Sequence, residues 1–265
     1  MAANSALRGA QYVAPWWRGG SVFWALMWFI LRDFLRSPWL ALNMLSLAGV
    51  QLFLLGPDPS RSQFFSVVYL VTLLLAGLNT MGIFSRANSA QTYAILARPV
   101  SRGNYTTASM LAAWLVSIAG YVVTVVLAYL RFGPQMHQAS DPGWFTLSTF
   151  LAASIPIVVG VTFAVSLMAL LSAFVAPFFV RLGVLAVIVL LVMAFDPRSF
   201  PIEAARPLVD KIPPLLGPIA GALRYAIDSP PDAIAIASVI ILAAYTTTLL
   251  ALVLWLSSRR EVELD

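Results

Sequence analysis

The chain has no cysteine, a single histidine and a single lysine, and only 10% of its 265 residues are charged. Without cysteine there are no disulfides, no thiolate metal ligands and no cysteine nucleophile. The one lysine, Lys211, stands in Asp210-Lys211-Ile212-Pro213, so the Gly-Lys-Ser/Thr ending of a phosphate-binding P-loop is missing. The one histidine, His137, cannot supply paired axial ligation of haem or a histidine metal cluster and reads as a solvated loop residue. With neither a Ser-His pair nor a metal site to assemble, the chain is not expected to be an enzyme or to carry a cofactor of its own.

Charge is also missing in blocks. Residues 37–57, 62–85, 103–130, 142–180, 182–195 and 233–258 contain no Asp, Glu, Lys or Arg. A helix crosses a bilayer with roughly 20 apolar residues, and most of these runs approach or exceed that length. Hydrophobic residues make up 60% of the sequence, too much apolar surface for a soluble core of this size to hide. The reading is an all-α integral membrane protein with six transmembrane helices in one membrane domain.

The runs and the breaks between them set the organisation. Residues 1–20 form a polar tail, and 21–36 carry an apolar run of about eleven residues ending in Arg32, Asp33 and Arg36. That run is too short to span; with Trp24 and Trp28 it suits an N-terminal helix lying in the membrane interface. Spans are expected at about 39–56, 64–84, 107–130, 146–173, 178–195 and 233–256. Trp39, Trp144 and Trp255 fall at span ends, where indole rings favour the headgroup region, whereas Trp114 lies inside a span and is expected to pack between helices. A second polar tail occupies 257–265.

The basic residues report orientation. Fifteen of the sixteen are Arg, scattered singly between apolar segments, which is not the clustered face that nucleic acid requires. With both termini in the cytoplasm, ten basic residues fall on the inner side and six on the outer, the bias expected of cytoplasmic loops. A multi-pass protein of the cytoplasmic membrane follows. The outer segment 196–232 holds eight of the seventeen prolines and an apolar piece, Ile212–Leu223, whose length suits a re-entrant or interfacial helix. Its Gly217 and Gly221 have the spacing of a helix-dimer motif, but beside prolines and outside a long apolar helix the match carries little weight.

The spans hold no Asp, Glu, His or Lys with which to bind a coupling ion or relay a proton. They hold neutral polar groups instead. Asn43, Gln51, Asn79 and Thr80 are the candidates for lining a pathway, although such groups more often make hydrogen bonds between helices. Gly160, Ala164, Ser172 and Ala176 share one face of the fourth span, interrupted by Met168, and suggest close helix packing.

If the chain moves a substrate, the energy must come from another subunit, and the inner segment 85–106 between the second and third spans is where such a subunit would dock. It reads Tyr93-Ala94-Ile95-Leu96 and then Ala97-Arg98-Pro99-Val100-Ser101-Arg102-Gly103-Asn104-Tyr105, followed by a span. This resembles the coupling-helix signature of ABC type-2 transporter permeases, in which a short surface helix ends in a proline-valine-serine-arginine turn. Six spans, an interfacial helix before the first and a long outer segment before the last are similar to that family's membrane domain over nearly the whole chain.

The resemblance implies a permease subunit forming half of a substrate pathway. Its partners would be cytosolic ABC ATPase subunits, a second permease copy or related permease, and membrane lipid; coupling would fall to Tyr93, Leu96, Arg98, Pro99, Arg102 and Tyr105. Pro99 would end the helix, while Arg98 and Arg102 would meet headgroups or carboxylates. The stretch Arg86-Ala87-Asn88-Ser89-Ala90-Gln91 lacks the glutamate that the family commonly has there. A second reading therefore stands beside the first, a non-transporting structural or assembly subunit of a larger membrane complex.

Overall fold

The computed structural model describes residues 16–55, 59–87, 102–136, 146–173, 177–195, 217–228 and 231–262. Among these residues every regular element is helical. In chain order they are α1 (Trp16–Leu35), α2 (Pro38–Gly49) continued by a π-helical turn (Val50–Leu54), α3 (Arg61–Ala87), α4 (Arg102–Met136), α5 (Leu147–Ala173), α6 (Phe178–Phe195), α7 (Gly217–Ile227) and α8 (Ala233–Val262).

Four stretches are long and apolar enough to cross a membrane: Arg61–Ser85, Gly103–Phe132, Leu147–Ser172 and Ala233–Ser257. They coincide with the second, third, fourth and sixth expected spans. The other two expected spans fall on shorter apolar helical stretches, Pro38–Leu52 and Phe178–Leu190. Pro38 opens α2 at the position where a missing N–H costs nothing, and the Ser37 hydroxyl donates to the Phe34 carbonyl (2.6 Å) at the end of α1.

α1 begins earlier than the sequence suggests, at Trp16 rather than residue 21. Its Leu26, Ile30 and Phe34 recur every fourth residue, so they share a face and are buried, while Trp24, Trp28 and Phe29 are exposed. The helix packs against α4 and touches α2. α4 likewise overruns its expected limits of 107–130, because Arg102, Asn104, Thr106 and Arg131 interrupt the apolar pattern without breaking the backbone ladder.

α3 is the hub. Over an 18-residue apolar window of α3, 83% of the residues are buried, against 22% over that of α8, and α3 packs on α4, α5, α6, α7 and α2. Phe64 and Phe65 of α3 meet Phe150 of α5 edge to face, with ring centroids 5.7 and 5.8 Å apart. The stripe of small residues on α5 is buried as far as it is described: the Gly160 face accepts the Tyr69 ring of α3, Ala164, Met168 and Ser172 are buried beside it, and Ala176 lies outside the described residues.

α7 is a short helix packed against α8, α5, α3 and α6. Pro218, Ile219, Ala220, Ala222, Leu223 and Ala226 are all buried, and Arg224 is exposed. Two groups fix its ends to the rest of the bundle. The fully buried Tyr69 donates its hydroxyl to the Ile219 carbonyl (3.1 Å), and Arg61 Nη2 donates to the Asp228 and Ala226 carbonyls (3.1 and 3.3 Å). A cation there matches the negative end of the helix. Asp232 then starts α8 by accepting from the Ala235 N–H (2.6 Å).

Candidate functional site

The coupling motif has only its last residues within the described structure. Tyr93, Leu96, Arg98 and Pro99 lie outside the described residues, which resume at Arg102, the first residue of α4. Tyr105 follows in the first turn of α4, half-buried against the hydrophobic core. The segment 88–101 thus joins the end of α3 to the start of α4, two helices that pack side by side.

Two of the four candidate pathway residues are brought together. Asn43 of α2 and Asn79 of α3 form a reciprocal amide pair: Asn43 Nδ2 donates to Asn79 Oδ1 (2.7 Å), and Asn79 Nδ2 donates back to Asn43 Oδ1 (3.2 Å). Asn79 Nδ2 also donates to Ser117 Oγ of α4 (3.3 Å), and Asn43 Nδ2 to the Trp39 carbonyl (2.7 Å). Asn79 is fully enclosed, at 0% exposure. The triad therefore ties α2, α3 and α4 together at one level of the bundle.

The other two candidates point elsewhere. Thr80 Oγ1 donates to the Ala76 carbonyl within its own helix (2.7 Å). Gln51, in the π-helical turn, donates to the Thr124 carbonyl of α4 (3.0 Å), and its Oε1 is buried with no hydrogen-bond partner among the described residues. The turn thus gives α2 a second tie to α4 that the sequence does not announce. Trp114 is half-buried between helices as expected, its indole N–H donating to Thr162 Oγ1 of α5 (3.0 Å).

Among the described residues, two grooves lie along α5 and α8. A groove of about 870 Å³ runs between α5, α6 and α8, lined by residues that include Phe163, Leu167, Val184, Val187 and Tyr245. A smaller one of about 370 Å³ lies between α4, α5 and α8, lined by Met110, Leu111, Trp114, Val165, Ser166 and Leu254 among others. Neither includes Asn43, Gln51, Asn79 or Thr80 in its lining. Both are almost wholly apolar, so their occupant would be held by shape and apolar contact rather than by paired charge.

The feature that sequence reasoning undervalues is Arg181, which counts there only as an inner-side charge. It is buried at the start of α6, with Nη1 donating to Ser172 Oγ of α5 (2.9 Å). Its signal in the sequence is position: it is the one charge separating the charge-free runs 142–180 and 182–195. Among the described residues no group of three His, Cys, Asp or Glu side chains is placed to hold a metal ion. The chain matches no protein-family model, no curated protein and no solved structure.

Proposed function

We propose that this chain is the membrane permease subunit of an ATP-binding-cassette transporter, forming half of a substrate pathway and driven by separate cytosolic ATPase subunits through the segment 85–106. The observation that carries the reading is the Arg98-Pro99-Val100-Ser101-Arg102 turn with Tyr105, set between two apolar spans. The packing supports it: a displacement delivered to that segment reaches α3 and α4 directly, and α3 touches five other helices. Motion applied at the hub would alter the apolar grooves along α5 and α8, where an apolar or amphiphilic substrate would pass.

In this reading α2 with its π-helical turn and α6 complete six crossings, α7 is the re-entrant element of the outer segment, and two permease copies meet two ATPases at the cytoplasmic membrane. The absence of native cysteine makes the topology directly testable. His137→Cys should react with a membrane-impermeant maleimide on intact cells, and Ser5→Cys only after permeabilisation. The reverse pattern, Ser5→Cys labelled on intact cells and His137→Cys only after permeabilisation, would invert the topology and remove the coupling segment from the cytoplasm.

The functional test is co-expression with the ABC ATPases of the same genome and co-purification of any that binds, followed by ATP-dependent substrate movement in proteoliposomes. Arg98→Glu and Pro99→Ala are expected to lower transport about fivefold while the complex still assembles. Lack of any complex, or variants that transport as the parent does, would sink the proposal. The structural-subunit reading is favoured by one specific observation, that Asn43 and Asn79 satisfy each other inside the bundle. An assembled complex that hydrolyses ATP and moves nothing would select it.

A further inference from the structure

Arg181 is 8% exposed in a part of the molecule that offers it little. Its side chain donates to Ser172 Oγ, and that hydroxyl is itself committed to the Met168 carbonyl (2.7 Å). Arg181 Nε is buried and has no hydrogen-bond partner among the described residues. The helices that pack against α6 are α3, α7 and α5, and neither they nor α6 itself contain a single Asp or Glu. A guanidinium enclosed with no counter-charge among the described residues is costly, and side chains of this kind inside membrane segments are found paired.

Its position on the helix adds to the demand. Arg181 sits in the first turn of α6, where the backbone carries partial positive charge and a cation is disfavoured. The same place favours an anion. Ser172, its partner, lies near the end of α5 and Arg181 near the start of α6, so the pair lies where the two helices approach their connection, at headgroup level if both helices cross the bilayer.

The larger groove starts on the same turn of α6. Val180, next in sequence to Arg181, lines it together with Gly183, Val184, Val187 and Ile188, and Val180 and Val187 are exposed, so the groove opens to the side of the bundle from the turn that carries Arg181, which is not itself a lining residue. Of its few polar lining groups, the Thr248 hydroxyl is committed to the Ala244 carbonyl of its own helix. At about 870 Å³ it has ample room for an acyl chain.

We propose that Arg181 and the groove between α5, α6 and α8 form a binding site for an anionic phospholipid, its phosphate at the Arg181 guanidinium and an acyl chain along α6. Apolar contact alone gives no preference, since the groove and the surrounding lipid are equally apolar. Preference comes from charge: an anionic lipid neutralises Arg181, whereas a zwitterionic one brings its own cation and leaves the net charge in place. The site requires only that the chain sits in a bilayer and is independent of any coupling to an ATPase.

The test is native mass spectrometry of the full chain released from nanodiscs containing equal phosphatidylglycerol and phosphatidylcholine of matched acyl chains. Retention of phosphatidylglycerol is expected to exceed that of phosphatidylcholine about tenfold. Arg181→Gln should bring the ratio close to one, and Arg181→Lys should leave it between. Val187→Trp, which fills the groove without touching the charge, should lower phosphatidylglycerol retention severalfold and carries the test if Arg181→Gln yields no folded protein. Equal retention of the two lipids by the parent, an undiminished preference in Arg181→Gln, or displacement of phosphatidylglycerol by inorganic phosphate would overturn the site.

Discussion

Replacing Asn79 with alanine is expected to destabilise the fold by about 3 kcal/mol, among the largest effects of any single polar substitution in this chain. Asn79 is enclosed and takes part in three hydrogen bonds that link α3 to α2 and α4. Individual interhelical hydrogen bonds in membranes average roughly 0.6 kcal/mol, so their plain loss would not reach that figure. The rest comes from what is left behind: Asn43 keeps its amide in an enclosed site with its bond to Trp39 but with its partner across the interface gone, at roughly 1–3 kcal/mol for a stranded buried group.

The double variant separates these contributions. Asn43→Ala alone should cost about 2 kcal/mol, and Asn43→Ala with Asn79→Ala little more than Asn79→Ala alone, because the second change removes the stranded amide. Thr80→Ala, one residue along but bonded only to its own helix, should cost under about 0.5 kcal/mol. Reversible unfolding in mixed micelles titrated with denaturing detergent reads all four. Additive losses from Asn43 and Asn79 would mean that the two amides are not coupled.

The contrast between Asn79 and Thr80 also shows what a sequence of this kind conveys and what it withholds. Helix positions are legible because the bilayer imposes them. The charge-free runs place α5 at 146–173, and it is found at Leu147–Ala173; they place α6 at 178–195, and it is found there, with Pro177 before it and Asp196-Pro197 after. Where polar residues continue a helix, as at both ends of α4, hydropathy marks the apolar slab and misses the true length. α2 is continued by a π-helical turn whose Gln51 reaches Thr124, 73 residues away, and no local pattern announces such a partner.

Burial is the least legible property. In a soluble protein the polar face of a helix shows which side is outside; in lipid both faces are apolar, so α3 as hub and α8 as periphery look alike in sequence. The neutral polar residues can be picked out by type, but their choice of partner is set by which helices touch. Arg181 is visible in the sequence as a charge and invisible as an enclosed one. The coupling motif, the most specific pattern in the sequence, lies almost wholly outside the described residues and stands on sequence alone.

Gly221→Ala is expected to destabilise the bundle by about 2 kcal/mol, although alanine is the better helix former by about 1 kcal/mol. The reason is the approach of α7 to α8. A Cβ built on Gly221 would lie 2.6 Å from Ser238 Cβ and closer still to Ser238 Oγ. Rotating the hydroxyl away relieves the second contact; the first involves an atom fixed to the α8 backbone, so one helix must move. α7 cannot yield cheaply, because Tyr69 holds its Ile219 carbonyl and Arg61 holds its end. Ser238→Gly removes the obstructing atoms, and in that background Gly221→Ala should cost less than about 0.5 kcal/mol or stabilise slightly. The same unfolding titration decides the matter. If Gly221→Ala stabilises the parent chain, α7 does not lie against α8, and the Gly217–Gly221 spacing must serve some contact other than the intramolecular one described for Gly221.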